Sequence, residues 1–128
     1  MKKKLILIVI IIAIIVFVIC INKFKDKTET TIENGVATSD VEIEKVTFSN
    51  IKKEYADGIT TLSAKMTNNS SDIKNFTVNI TLKNDQGNVV QSLTQVVENL
   101  EIGKSKILST GILGDYSDIK DIKFEIAE

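Results

Sequence analysis

The chain has 128 residues, a formal net charge of −1, and no histidine, tryptophan or proline. Without histidine it cannot form a Ser-His-Asp triad, a Cys-His pair or a histidine metal site. Its single cysteine, Cys20, leaves no internal disulfide. All 16 basic residues are lysines, and residues 28–128 carry 10 of them against 16 carboxylates, which is unlike a nucleic-acid-binding domain. We therefore expect no enzyme activity, no cofactor, no small-molecule substrate and no nucleic-acid partner.

Residues 5–21 form an uninterrupted apolar run that is flanked by lysines on both sides. As a helix rising 1.5 Å per residue, this run spans roughly 25 Å, slightly less than the hydrocarbon core of a bilayer. The flanking lysines can snorkel to the interfaces and make up the difference. The end of the run has no small-x-small cleavage site, so the sequence predicts an uncleaved transmembrane anchor.

Cys20 offers an alternative anchor, because bacterial lipoproteins carry a lipidated cysteine at the end of such a segment. Here Ile19 stands where that processing site normally takes a small residue. Orientation follows from two features, since the flanking lysines nearly balance. The free amino terminus adds positive charge before the anchor, and the chain after it is acidic. These features predict a cytoplasmic tail over residues 1–4 and a single-pass cell-membrane protein whose C-terminal part is extracytoplasmic.

Residues 22–40 are polar without a sustained apolar period, which predicts a flexible linker or stalk. From Val41 onward the apolar residues alternate with polar ones, which predicts a β domain over residues 41–128. The first strand, 41–50, changes phase after Ile43, and we expect a bulge or a crossing between sheets there. The further predicted strands are Leu62–Met66, Phe76–Leu82, Val89–Val97, Lys104–Ser109 and Ile122–Ile126.

Turn signals separate these strands. Ala56–Gly58 and Asn84–Gly87 fit hairpin loops, with Gly87 suited to a left-handed position. The segments 67–72 and 111–118 are predicted as longer loops. No helical stripe follows the apolar run, so the sequence predicts an all-β fold: an antiparallel, immunoglobulin-like β-sandwich of about six to seven strands, preceded by one transmembrane helix and a flexible stalk.

The sequence resembles the FxLYD family of bacterial and archaeal extracytoplasmic sandwich domains. In this resemblance Leu82 stands at the leucine position of the motif, and Ile80, Lys83 and Asn84 stand at the Phe, Tyr and Asp positions. The similarity covers roughly residues 41–128 and implies a sandwich fold outside the membrane, without catalytic residues. The stretches that carry it are Asn68–Ser70, Val78–Val90 and Leu100–Gly103.

Two motifs that could indicate catalysis or metal binding have simpler interpretations. Three S-x-x-K matches begin at Ser49, Ser71 and Ser117, but the S-D-N and K-T-G partners of penicillin-recognising enzymes are missing. A second motif comprises three aspartates before the last strand, which could supply calcium ligands. Their spacing is unlike an EF-hand loop, so a solvated loop is expected and no metal site is predicted. These aspartates are Asp115, Asp118 and Asp121.

Several asparagines and two tyrosines are candidate surface residues. Four asparagines begin N-x-[ST] sequons and are predicted to form the polar face of one strand and the loop before it. Tyr55 and Tyr116 lie beside turns and are candidates for a contact patch, with half-buried tyrosines as the alternative. The four asparagines are Asn68, Asn69, Asn75 and Asn79.

Taken together, these features predict a non-catalytic binding or scaffolding module that is held at the membrane and meets a protein partner at the cell surface. Exposed edge strands would allow that partner to bind by strand addition. The alternative is an accessory subunit of a larger membrane complex that works through its transmembrane helix.

Overall fold

The structure is a computed structural model, and it describes residues 26–127. Within this part of the chain the regular secondary structure is entirely β, which confirms the all-β prediction. The strands are β1 Glu29–Glu33, β2 Val36–Ala37, β3 Val41–Ile43, β4 Val46–Ala56, β5 Ile59–Asn68, β6 Lys74–Lys83, β7 Val89–Leu100, β8 Ser105–Leu113 and β9 Asp121–Ala127.

The strands form one antiparallel path in the order β7-β6-β9-β1-β2-β4-β5-β8, with β3 paired to β4. β1 connects the two halves of this path. Its first residues pair with β9, in the register Thr30 opposite Ile122, and its last residues pair with β2, in the register Ile32 opposite Ala37. The result is a nearly closed sheet whose two ends, β7 and β8, come together on the opposite side.

The core lies between the two halves of the sheet. In β6 the residues Phe76, Val78, Ile80 and Leu82 are all buried, as their strict alternation predicted. The rings of Phe48 on β4 and Phe124 on β9 meet with their centroids 5.0 Å apart, which joins the two halves. Burial of each such side chain stabilises the fold by about 1.5–3 kcal/mol.

The predicted stalk over residues 22–40 is wrong for its second part, because residues 29–37 supply β1 and β2. Thr30 and Ile32 are buried, and the domain therefore begins near Glu29 instead of Val41. The sequence signal was weak because Ile32 is the only large apolar side chain in β1, and ladder hydrogen bonds to β9 hold the rest. Residues 22–25 lie outside the described part.

The phase change after Ile43 is a hairpin turn, so the predicted bulge or sheet crossing at this point is wrong. Ile43 pairs with Val46, and the two residues between them have positive φ angles, 49° at Glu44 and 65° at Lys45. Such two-residue turns normally carry Asn-Gly or Asp-Gly, which explains why Glu-Lys gave no turn signal. The actual bulge lies further along β4, where the register shifts between Ser49 and Lys52.

Of the other turn predictions, the two hairpin loops are confirmed and the two longer loops have different bounds. Asp57 and Gly58 form the β4–β5 turn with φ angles of 54° and 81°, and Gly87 has the predicted left-handed backbone with φ 79°. The predicted 111–118 loop is too long, because β8 continues to Leu113. The predicted 67–72 loop likewise starts too early, since β5 extends to Asn68. The described residues contain nine strands, more than the six or seven predicted, mainly because β1, β2 and β3 add short strands at the N-terminal side.

The predicted tail, residues 1–4, and the predicted anchor, residues 5–21 with Cys20, lie outside the described residues. Within residues 26–127 there is no helix of the length and apolar character needed to cross a bilayer.

Candidate functional site

The two edge strands β7 and β8 lie next to each other without forming a ladder. They are the first and last strands of the path, and no strand pairing joins them within residues 26–127. Each strand therefore presents a row of backbone N–H and C=O groups toward the gap instead of to a neighbouring strand. We call this gap the seam groove, and it is the candidate functional site.

The seam groove has a volume of about 240 Å³ and reaches down to the core. Its floor consists of buried apolar side chains, Met66, Val97 and Leu108. Its rim carries two exposed apolar side chains, Val96 at 60% exposure and Ile107 at 70%. Exposed β-branched residues on an unpaired edge are typical of surfaces that accept another strand.

Asn68 connects β5 to the end of β7, beyond one end of the seam groove. This last residue of β5 is fully buried, and its Nδ2 donates hydrogen bonds to the carbonyl oxygens of Leu100 and Asp72, each at 2.8 Å. Its Oδ1 accepts from the backbone N–H of Ser70 at 2.9 Å and from the Ser70 hydroxyl at 2.6 Å. A buried amide with every bonding position used fixes the end of β7 against β5.

Tyr116 makes a second connection to β7, beyond the other end of the seam groove. Its hydroxyl accepts a hydrogen bond from Nε2 of Gln91 on β7 at 3.4 Å, and its backbone N–H donates to Thr60 Oγ1 at 3.0 Å. Gly114 lies beneath the tyrosine ring, where a Cβ atom would come within 3.2 Å of the ring at a φ of 118°. Glycine suits this position, because any side chain would strain the backbone and crowd the ring.

Lys53 holds the loop that carries Tyr116. Although it is a lysine, it is buried on β4, and its Nζ donates hydrogen bonds to the backbone oxygens of Tyr116 and Ile119. Desolvation by burial lowers the pKa of Lys53, and the nearby carboxylates of Asp118 and Asp115 offset part of that effect. The alternation of apolar and polar residues in the sequence did not indicate that Lys53 holds this loop, because a lysine within a strand is normally exposed.

The two tyrosine candidates differ in their surroundings. Tyr116 is half-buried and lies beyond the end of the seam groove, where it packs against the core. Tyr55 is exposed and lines a separate cleft of about 310 Å³ together with Lys53 and Ser117. Within residues 26–127 no hydrogen bond or ring contact joins the two tyrosines.

Two of the three candidate aspartates accept hydrogen bonds from neighbouring side chains or backbone groups, and the third, Asp118, lies near Lys53. Asp115 Oδ1 accepts hydrogen bonds from the side chain and backbone N–H of Ser117, and these bonds lower the pKa of Asp115. Asp121 Oδ1 accepts from the Thr31 hydroxyl at 3.5 Å. Among residues 26–127 there is no group of three or more carboxylate, cysteine or histidine side chains that could hold a metal ion.

The sequon asparagines divide into two kinds. Asn75 and Asn79 are exposed on β6, and Asn79 Oδ1 accepts from the Thr94 hydroxyl at 2.7 Å, in agreement with the predicted polar face. The prediction that Asn68 lies in the polar loop before this strand is wrong, because Asn68 is the fully buried last residue of β5. A signal was present in the sequence, since an asparagine in a polar turn segment such as residues 68–72 often bonds to the backbone two residues on, as Asn68 does with Ser70.

Comparisons of the chain with protein-family models, with curated proteins and with solved structures gave no match. The resemblance to the FxLYD family therefore stays a prediction.

Proposed function

We propose that this protein is a single-pass membrane protein that presents a non-catalytic binding or scaffolding domain on the outer side of a bacterial membrane. Its partner would be a protein that inserts an extended segment into the seam groove. The observation that carries the proposal is the pair of unpaired edge strands, β7 and β8, facing each other across an apolar-rimmed groove.

Strand addition suits this groove for two reasons. An extended segment can use the backbone groups of an edge strand as its ladder partners, which provides affinity without requiring a particular partner sequence. Alternate side chains of the segment would then point toward the groove floor, where Met66 and Leu108 offer an apolar surface. Val96 and Ile107 on the rim would be covered in the complex.

The finer fold assignment, an immunoglobulin-like β-sandwich, also belongs to the proposal. An immunoglobulin-type sandwich places strands A, B and E in one sheet and C′, C, F and G in the other. The order observed here supports this assignment, with β1 next to β9 in the position of strand G. In this reading β4, β5 and β8 correspond to A, B and E, and β7, β6 and β9 correspond to C′, C and F.

The membrane location is supported by the apolar run at residues 5–21, with Cys20 as a candidate lipidation site for the alternative anchor. Protease treatment of intact cells tests the orientation. We expect the domain to be digested from outside, and its protection in intact cells would contradict the extracytoplasmic assignment.

The seam groove is tested by photo-crosslinking in intact membranes, with a photoreactive amino acid at Val96 and, as a matched control, at Val36 on β2. Val36 is also an exposed valine but lies far along the path from the groove. We expect a discrete adduct from position 96 that is absent from position 36 and is lost when Ile107→Asp is added. Equal adducts at both positions, or an adduct insensitive to Ile107→Asp, would contradict the proposal.

The alternative, an accessory subunit that works through its helix, is separated by exchanging residues 5–21 for an unrelated transmembrane segment. The binding-module proposal predicts that the adduct at position 96 persists after this exchange. Its loss would favour the accessory-subunit alternative.

A further inference from the structure

One end of the domain carries two exposed isoleucines on neighbouring loops. Ile73, between β5 and β6, is 54% exposed, and Ile102, between β7 and β8, is 53% exposed. The two loops lie side by side because Asn68 Nδ2 donates to the carbonyl oxygens of both Asp72 and Leu100. Backbone hydrogen bonds between Asn68 and the second loop, to Gly103 and Lys104, reinforce this arrangement. We call this end of the domain the isoleucine end.

The described chain begins at the same end. Asp26 Oδ1 accepts a hydrogen bond from the backbone N–H of Glu44, in the β3–β4 turn. The other residue of that turn, Lys45, accepts at its carbonyl oxygen from the backbone N–H of Asn69, at 2.8 Å. A continuous series of hydrogen bonds thus connects the start of the described chain to the loops that carry the isoleucines.

The distance to the predicted anchor is short. The apolar run ends at Ile21, and only five residue steps separate it from Asp26. Fully extended, five steps span at most about 18 Å. An anchor ending at the membrane surface therefore keeps the isoleucine end within that distance of the lipid headgroups. A tether this short gives even a weak surface interaction a high effective concentration.

We propose that the isoleucine end rests on the lipid bilayer, with Ile73 and Ile102 inserted at the boundary between headgroups and acyl chains. This inference rests on the membrane anchoring stated under the proposed function. The docked domain would point its opposite end, with the β4–β5 turn and Leu113, away from the membrane. The seam groove, which is lined by residues 95–98 of β7 and 106–109 of β8, would then face sideways, beside the bilayer.

The charges at the isoleucine end indicate which lipids matter. Lysines and carboxylates alternate in its loops, so the end has no strong net charge. We therefore expect apolar insertion to dominate, with similar docking on zwitterionic and anionic bilayers and little effect of salt. The charged residues are Asp26, Glu44, Lys45, Asp72, Lys74, Glu101 and Lys104.

The absence of tryptophan from the sequence allows a direct test with the full chain. Ile102→Trp places a unique fluorophore at the isoleucine end, and Leu113→Trp places one at the opposite end, on a residue that is 83% exposed. Both variants are reconstituted into phosphatidylcholine vesicles with and without bromine on the acyl chains. Flotation of the vesicles first shows whether the chain is membrane-anchored at all, and failure to float would overturn the anchoring itself.

For chains that float, we expect Ile102→Trp to be quenched by brominated lipid at least about twofold more than Leu113→Trp, because only the first lies at the headgroup boundary. Adding Ile73→Ser to Ile102→Trp should reduce this quenching, while adding Ile107→Ser should leave it unchanged. Equal quenching at the two ends would overturn the docking proposal while leaving the anchor intact. Quenching that requires phosphatidylglycerol and disappears in about 1 M salt would also overturn it, because the contact would then be electrostatic.

Discussion

The two sides on which the halves of the sheet meet are built differently. On the closed side, β1 pairs with β9 through its first residues and with β2 through its last, so backbone hydrogen bonds continue from one half to the other. On the open side no strand pairing joins β7 to β8 in the described part of the chain, and side chains make the connections instead. Asn68 on β5 bonds to the end of β7, Tyr116 after β8 bonds to Gln91 on β7, and Lys106 on β8 bonds to Glu98 on β7. The closed side therefore joins the two halves through backbone hydrogen bonds, while the backbone edges of β7 and β8 on the open side have no neighbouring strand among those described.

The largest expected effect comes from truncating the closed side. Ile32→Ala removes a buried side chain of β1 and should lower the free energy of unfolding by about 3 kcal/mol, as is usual for Ile→Ala in a core. Ile107→Ala makes the same chemical change on the exposed rim of the seam groove and should change it by less than about 0.5 kcal/mol. Denaturant unfolding measures both. Equal losses would show that the two sides contribute alike to stability.

Replacing Asn68 tests whether the open side depends on the hydrogen bonds that this residue makes to the end of β7. Asn68→Ala leaves the Leu100 carbonyl and the Ser70 N–H without their buried partner, and we expect a loss of about 2 kcal/mol. The matched control is Asn79→Ala on the exposed face of β6, where we expect less than about 0.5 kcal/mol. Hydrogen exchange should also accelerate at the end of β7 in Asn68→Ala. An unchanged exchange rate there would argue against Asn68 as the link across this side.

The same comparison shows what the sequence could and could not predict. β6 was predicted because its apolar residues alternate strictly over Phe76–Leu82, and a half-buried strand requires that period. β1 was missed because backbone pairing with β9, which leaves little trace in side-chain pattern, determines its position. The edge strands themselves were predicted. Their meeting across a groove was not, because strand order depends on contacts distant in the sequence.

Among the site residues, too, the sequence indicates what depends on local pattern and misses what depends on contacts distant in the sequence. Tyr116 was selected from its place beside a turn, but its role depends on Gly114 beneath it and on Gln91, which is distant in the sequence. Asn68 and Lys53 were missed as structural residues because both are polar types that usually lie at the surface. The free-energy cost of burying such residues is offset only when several backbone groups form hydrogen bonds with them. The positions of those backbone groups depend on the whole fold.

Lys53 makes the stability of the domain dependent on pH. Because burial lowers its pKa below the usual 10.5, the folded chain releases this proton at a lower pH than the unfolded chain. Between the two pKa values the unfolded state binds more protons, so the contribution of Lys53 to stability rises with pH and levels off above 10.5. The free energy of unfolding, measured from about pH 8 to about pH 11, should therefore rise less in Lys53→Met than in the wild type. The control, Lys52→Met at an exposed position, should follow the wild type. A parallel slope in Lys53→Met would contradict this account.

The smallest expected effect on stability lies in the seam groove, at Lys106. Its Nζ donates to the Glu98 carbonyl oxygen across the groove, at an exposed position. Lys106→Val should change the free energy of unfolding by less than about 0.5 kcal/mol, because exposed hydrogen bonds contribute little.

The effect of Lys106→Val on self-association of the protein should be larger. A charged lysine on an edge strand discourages pairing with the edge of another molecule, and valine would add a further β-branched side chain beside Ile107. Sedimentation at increasing protein concentration should therefore show larger species for Lys106→Val than for Lys104→Val, which changes a lysine in the adjoining loop. If both variants sediment like the wild type, the open side does not pair with the edge strands of a second copy.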